Sequence, residues 1–379
     1  MNESIDERLL EASELFYYAW KFRNSRFVIA LADGKSIADI VDDLRVLQSS
    51  DIKFNFICLQ NPETQNIAKR LSDRGFTISY HNISSIEELD KELTTQDQNP
   101  KIFAFNFADQ NKNLALIEAA ITLAQKTLSE RVFYLSDDSG IIENDDLKSF
   151  LSFAQVKKII SSKSNVSFPE DILAAIVSQN RKPDIEFSLL KLERGSLFEE
   201  IFSHEGHGTL ITERFYSTIK KARKSDIISI YRLLQPAIEA GWVLSISEDQ
   251  IADQIEQFYV YTVNSSVVAA AMLQTHEDSV ELAKFCTLPR FQGRGGAREL
   301  AKKLIEQAST NDKKDVFSLS TNPAMWKLFA SLGMKEVARE TLPRSWQKTY
   351  DMTRPSKAYK LELNTQSATA DPRAESSGK

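Results

Sequence analysis

The sequence predicts an α/β chain of two units, the first on a largely parallel sheet and the second an α+β unit on a mainly antiparallel sheet. Three observations predict this. Apolar β-rich runs alternate with helical patterns up to about residue 212, as βαβ units require. Beyond that point two strand-like runs flank the turn Asn264-Ser265-Ser266, the mark of an antiparallel hairpin. Finally, 379 residues with 42% hydrophobic content exceed what a single core usually organises.

The elements follow in order. Ile5, Leu9, Leu10, Phe16, Tyr17 and Trp20 give residues 1–25 a helix with an aromatic stripe, which either packs on its own unit or serves self-association. Phe27 to Leu31 reads as a buried strand, and Ile37, Ile40, Val41, Leu44 and Leu47 stand at helical spacing. Strands are predicted at 54–59, 76–80, 102–107 and 132–135, with helices at 62–74, 85–94 and 114–128. A strand at 185–190 and a helix turn at 197–202 close the first unit, which spans 26–212. In the second, 213–363, helices at 226–240 and 248–257 precede strands at 258–263, 267–273 and 280–288. A helix at 293–307, a strand at 316–320, a helix at 323–332 and a strand at 357–363 complete it. Residues 364–379, rich in Ser, Thr, Ala and charge, read as a disordered tail.

A net charge of −6 gives no basic footprint for nucleic acid. The cluster Lys220 to Lys224 reads as a solvated helix face. Cys58 and Cys286 lie in apolar runs and read as small buried hydrophobes. The four histidines, His204 and His207 included, lack a ligand set, so no metal is expected. No apolar run reaches membrane-spanning length, and residues 1–14 lack an apolar signal core. A cytoplasmic protein without membrane partners is expected.

The sharpest motif is Gln292-Gly293-Arg294-Gly295-Gly296-Ala297, after a strand ending Thr287-Leu288-Pro289 and before a helix. Glycines there permit a tight turn that presents N–H groups, and a helix N-terminus adds its dipole. Such a corner suits a phosphate-bearing ligand. Its spacing resembles the acetyl-CoA motif of the GNAT acetyltransferase superfamily, in which the preceding strand splays from its neighbour and pairs with the pantetheine arm. Asn322, after Ser318-Leu319-Ser320-Thr321, fits the same pattern. The resemblance therefore implies an acetyl-CoA site at Thr287, Leu288, Gln292, Gly293, Arg294, Gly295, Gly296, Ala297 and Asn322.

Across nearly the whole chain the sequence resembles bacterial N-acetylglutamate synthase, a shortened amino-acid-kinase-like αβα sandwich followed by a GNAT domain. The resemblance rests on Glu281-Leu282-Ala283, Phe317 to Asn322, Leu342-Pro343, Tyr350 and Arg354-Pro355-Ser356-Lys357. In the first unit it rests on Phe27-Val28-Ile29, Asp39 to Leu44 and the run Phe198 to Thr209. It implies transfer of acetyl from acetyl-CoA to the α-amine of L-glutamate, the first step of arginine biosynthesis. Glu281 aligns with the family's base and Ser320 with its acid; by residue type alone Glu281 reads as a solvent-facing strand carboxylate. Arg354 and Ser356 align with residues that hold the substrate carboxylate, where a guanidinium suits bidentate binding. The aromatic helix resembles the segment that builds homo-oligomers, hexamers, in arginine-sensitive relatives.

The chain also departs from the family. Ser245, in Gly241-Trp242-Val243-Leu244-Ser245-Ile246, stands where the family commonly has a glutamate-gripping arginine, a loss of about 1.5–3 kcal/mol of binding. Lys284 replaces it only if a bulge intervenes, because three residues past Glu281 it points to the opposite face of a regular strand. Leu31-Ala32-Asp33-Gly34-Lys35 and Leu59-Gln60-Asn61-Pro62 stand where relatives carry Gly-bearing turns, and the stretch from Tyr80 to Lys101 is short. Asp33 in a phosphate cradle repels phosphate, so this unit is not expected to phosphorylate anything. Glu200, Gly206 and Gly208 match the family's L-arginine effector site, or else cap and position the last helix. Two alternatives stay open: the same chemistry on a different amine, and a non-catalytic arginine sensor.

Overall fold

The computed structural model describes residues 5–32, 40–61, 64, 66–93, 99–106, 111–162, 166–178, 185–203, 206–213, 216–263, 266–310 and 313–363. Contacts divide the chain into two compact units, Met1–Phe215 and Tyr216–Lys379.

The first unit runs α1 (Ile5–Lys21), β1 (Arg26–Leu31), α2 (Val41–Ser49), β2 (Lys53–Leu59), α3 (Ile67–Ser72), β3 (Ser79–Ile83), α4 (Ile86–Leu93), β4 (Lys101–Phe105), α5 (Lys112–Thr127) and β5 (Arg131–Ser136). There follow the short strands β6 (Ile142–Glu143), β7 (Asp146–Leu147) and β8 (Phe150–Leu151), then α6 (Phe153–Ser162), α7 (Glu170–Ser178), β9 (Glu186–Lys191), α8 (Ser196–Phe202) and β10 (Thr209–Ile211). The main sheet has the order β3-β4-β2-β1-β5-β9-β10-β8, with only β9–β10 antiparallel. Its central strands are apolar on both faces because both are covered. Val28 and Ala30 pack with α5, α6 and α7 on one side, and Phe27, Ile29 and Leu31 with α1, α2 and α8 on the other.

The second unit comprises β11 (Ser217–Lys221), α9 (Ile227–Glu239), α10 (Glu248–Asp253), β12 (Phe258–Val263), β13 (Ser266–His276), β14 (Ser279–Thr287), α11 (Gly296–Thr310), β15 (Asp315–Ser320), α12 (Pro323–Ser331), β16 (Lys335–Val337), α13 (Arg344–Gln347) and β17 (Lys357–Glu362). The sheet order is β11-β12-β13-β14-β15-β17-β16, and only β14–β15 is parallel.

Several elements differ from the sequence expectation. The strand expected at 76–80 lies at Ser79–Ile83. Gly75 has φ 91° and the Phe76 N–H donates to the Leu71 carbonyl, so the chain is still completing the end of α3. Ahead of that helix Asn61 and Thr64 exchange side-chain and backbone hydrogen bonds at 2.8 and 2.9 Å, the reciprocal pattern that caps a helix start, and Thr64 is itself helical. The helix expected from Gly293 starts at Gly296. Lys220 and Lys221 lie on the edge strand β11, not on a helix, where lysine protects an open edge. Helices α6 and α7 escaped the sequence reading although Phe153, Val156 and Ile159 carry helical spacing. Asp33, Gly34, Lys35, Pro62, Phe107, His204, Asn264, Ser265 and the 364–379 tail lie outside the described residues.

Candidate active site

Strands β14 and β15 begin as a parallel pair and then part. Their registered pairs are Ser279–Asp315, Val280–Val316 and Glu281–Phe317, whereas the strands continue to Thr287 and Ser320. At the parting the buried Ser318 hydroxyl donates to the Leu282 carbonyl at 2.6 Å, a side-chain bond taking over from the ladder. Beyond it, β14 keeps its ladder with β13 up to Thr287. The edge turned toward β15 is therefore open, and an extended ligand can pair with such an edge.

The same stretch of β14 carries an irregularity. Ala270 pairs with Cys286 but Met272 with Ala283, so Lys284 and Phe285 stand opposite Ala271 alone. Lys284 has φ 51°. This is the bulge on which the use of Lys284 depended. It brings the Lys284 ammonium to 3.2 Å from the Leu244 carbonyl, beside the exposed Ser245. Burial lowers its pKa; the Glu281 charge opposes that shift and the Arg354 charge adds to it. Arg354 donates through Nη2 to the Gly241 carbonyl at 2.7 Å, and the Thr321 hydroxyl donates to the same oxygen at 3.3 Å. Two cations thus rest on the carbonyls of one segment, 241–244, and Lys284 lies within range of the Glu281 charge.

Ser320 ends β15 with its hydroxyl oxygen accepting the Asn322 N–H at 3.0 Å. Trp326 Nε1 donates to the Ser320 carbonyl at 2.7 Å. Asn322 itself caps α12, accepting the Ala324 N–H at 2.9 Å. Ser356 is buried and accepts from the Tyr350 hydroxyl at 2.8 Å, while Tyr350 stacks on Trp346 at 4.4 Å. Cys286 is inert: burial pushes its thiol up to about 12.

The glycine loop follows β14. The Leu288 N–H donates to Val268, and Gln292 Nε2 reaches back to the Thr287 carbonyl at 3.1 Å. Gly293 and Gly295 have φ 74° and 88°, a left-handed backbone that disfavours any side chain. At Gly296 a Cβ would meet the Tyr261 ring at 3.3 Å, so the start of α11 seats closely on β12. Arg294 lies over the Phe291 ring, and burial with the Arg290 charge brings its pKa down to about 10. A cationic corner at the N-terminus of a 15-residue helix gains from an anion. Arg290 was missed in the sequence because it lies before the motif.

Residues 239–354 match the family model of the acetyltransferase (GNAT) domain. The second unit has the GNAT fold. The chain is 25% identical over 247 residues to an amino-acid acetyltransferase of Neisseria meningitidis, covering 65% of this chain and 56% of that protein. With the amino-acid acetyltransferase of Shewanella oneidensis it shares 26% over 268 residues, 69% of this chain and 60% of the relative. The chain thus spans little more than half the length of the curated relatives it matches. Its fold is similar to that of N-acetylglutamate synthase from Neisseria gonorrhoeae, solved with coenzyme A and L-arginine. The TM-score is 0.54 at 18% identity, over 96% of this chain and 100% of that one.

Outside the GNAT unit, Glu200, Gly206 and Gly208 come together in a closed corner. Glu200 is 3% exposed. It accepts from the Ser188 hydroxyl at 2.9 Å and from the His207 and Gly208 N–H groups at 2.9 and 3.4 Å. At Gly208 a Cβ would meet the Leu189 carbonyl at 2.1 Å, so only glycine fits. Buried Arg131, paired with Glu186, lies over the rings of Phe22 and Phe133. Burial opposes its charge, but Glu186 and Glu200 outweigh that and hold its pKa raised. No group of three or more metal-ligating side chains occurs, and no helix is long and apolar enough to cross a membrane, among the described residues.

Proposed function

We propose that the chain is an acetyl-CoA-dependent amino-acid N-acetyltransferase acting on the α-amine of L-glutamate. The observation that carries this reading is the bulge in β14, which sets Lys284 within range of the charges of both Glu281 and Arg354 where β14 and β15 part. The open edge of β14 fits the pantetheine arm, and the Gly293–Gly296 loop with Arg290 and Arg294 fits the pyrophosphate. Gln292, Thr287 and Leu288 fix the loop to the strand end, and Ala297 lies in the first turn of α11. Asn322 serves indirectly, setting the start of α12 and the Ser320 hydroxyl.

Glu281 takes a proton from the substrate ammonium, and the amine then forms its C–N bond to the thioester carbonyl as the C–S bond breaks. Ser320 donates its hydroxyl proton to the departing thiolate and recovers one from the reacting nitrogen as that becomes the amide N–H. Its oxygen already accepts the Asn322 N–H, which leaves the hydroxyl hydrogen to be given. Burial lowers the Lys284 pKa and the Arg354 charge adds to that lowering, and a dicarboxylate substrate beside the two cations opposes it. Lys284 stands in this reading for the arginine missing at Ser245, and Ser356 fixes the turn that carries Arg354. The test is CoA release from acetyl-CoA with purified protein across amino acids and polyamines. Turnover selective for glutamate is expected; turnover on another amine alone keeps the chemistry and overturns the substrate, and no turnover overturns the reading.

Two further proposals concern the first unit. L-Arginine does not act at Glu200, because that carboxylate already holds three internal donors beside Arg131. Self-association runs through α1, where Phe16 and Trp20 are 73% and 76% exposed while Tyr18 and Phe22 enter the core. Light scattering of Phe16→Ser with Trp20→Ser, against the parent chain, tests it: equal masses overturn it.

A further inference from the structure

One buried group near the site remains unexplained by this chemistry. His276 ends β13 and pairs with Ser279 across the hairpin to β14. Gln274 is the registered partner of Glu281, so His276, two residues on, shares its face of the sheet. Its ring lies 5.8 Å from that of Phe317. Nε2 stands 3.3 Å from Glu281 Oε2, the two side chains being 8% and 14% exposed. That distance is ion-pair range without hydrogen-bond alignment, and Nε2 has no hydrogen-bond partner among the described residues. On the far side of the ring, Nδ1 lies 3.4 Å from the Ser345 hydroxyl. Ser345 is half-buried at the start of α13, its N–H donating to Glu277 at 3.2 Å. A buried polar nitrogen left without a bond is costly, and here it stands 3.3 Å from the carboxylate that takes the substrate's proton.

Proton balance supplies a use for it. An ammonium nitrogen loses two protons on becoming an amide N–H. One ends on the thiol; the other must leave the site before Glu281 can act again. We infer that His276 positions Glu281 and carries that second proton outward. Nε2 takes it from the Glu281 carboxyl, Nδ1–H passes a proton to the Ser345 oxygen, and Ser345 releases its own to water. No electrons are transferred; the imidazole is left protonated on Nε2, and exchange of its ring protons with water restores the Nδ1–H form before the next turnover. The inference rests on the reading of Glu281 as the base.

The test compares steady-state kinetics of the full chain with those of His276→Phe, His276→Gln, Ser345→Ala and Glu281→Gln. His276→Phe keeps an aromatic ring beside Phe317 and removes both nitrogens. It is expected to lower kcat about 10- to 100-fold with KM for acetyl-CoA and for the amino acid unchanged. His276→Gln is expected to show the same loss, since an amide can hydrogen-bond to Glu281 but cannot relay a proton. If the Phe variant misfolds, the Gln variant decides. Ser345→Ala is expected to lower kcat by a smaller factor. Full kcat in His276→Gln beside an inactive Glu281→Gln overturns the relay alone. Full activity in Glu281→Gln overturns the base assignment itself, and a rise in KM without loss of kcat marks His276 as merely structural.

Discussion

Two carboxylates, the buried Glu200 of the first unit and the half-buried Glu281 of the second, differ in what surrounds them. Glu200 accepts a serine hydroxyl and two backbone N–H groups and lies within reach of the Arg131 charge. Glu281 faces a misaligned imidazole at 3.3 Å and a lysine that rests on a backbone carbonyl. A fully satisfied carboxylate holds structure together and has little affinity left for a ligand. An incompletely satisfied one at a parting of strands is available for chemistry. The residue type is the same, so the difference lies in the donors and in the greater depth of Glu200.

Removing each carboxylate sharpens the contrast. Glu281→Gln is expected to lower kcat by about 10²- to 10⁴-fold with an unchanged melting temperature. Glu200→Ala should do the reverse: stability falls by roughly 3–5 kcal/mol, because Arg131 loses a buried counter-charge, while kcat per folded molecule is preserved. Activity lost in proportion in both variants breaks the comparison. Lys284→Met is expected to raise KM for glutamate roughly 10- to 150-fold, the equivalent of about 1.5–3 kcal/mol of binding, leaving KM for acetyl-CoA alone.

Asp43 is an intermediate case. Burial raises its pKa to about 6, against backbone N–H groups of Phe198, Leu197 and Gly195 that lower it. The folded state therefore binds more protons than the unfolded one between about pH 4 and 6, and stability falls as pH rises through that window. Asp43→Asn is expected to raise stability above pH 6 by roughly 1–2 kcal/mol and to change nothing below about pH 4, as thermal melts across pH would show. The smallest expected effect is for L-arginine at the closed Glu200 corner, where Glu200→Gln is expected to leave any heat of arginine binding in titration calorimetry unchanged.

Much of this was legible in the sequence. The runs at Phe27, Phe54, Ile102 and Val132 announce buried strands because their apolar character is continuous, and both units were readable from the change in pattern. The loop Gln292–Ala297 was legible because glycine spacing is itself a backbone statement. Less was legible where short-range bonds intervene: the close of α3 at Phe76 displaced β3. Lys284 was ambiguous, for alternation along a strand says which face a residue takes only if the strand is regular.

The sequence by itself determined which residues bear charge or hydroxyl and the backbone freedom of Gly293 and Gly295, since these follow from local chemistry. Only the tertiary structure decided how those groups meet. The one-residue bulge that turns Lys284 toward Glu281, the parting of β14 from β15, and the approach of His276 to that carboxylate all depend on strand register. Register is set by pairing between distant segments, a quantity that no single stretch of chain contains.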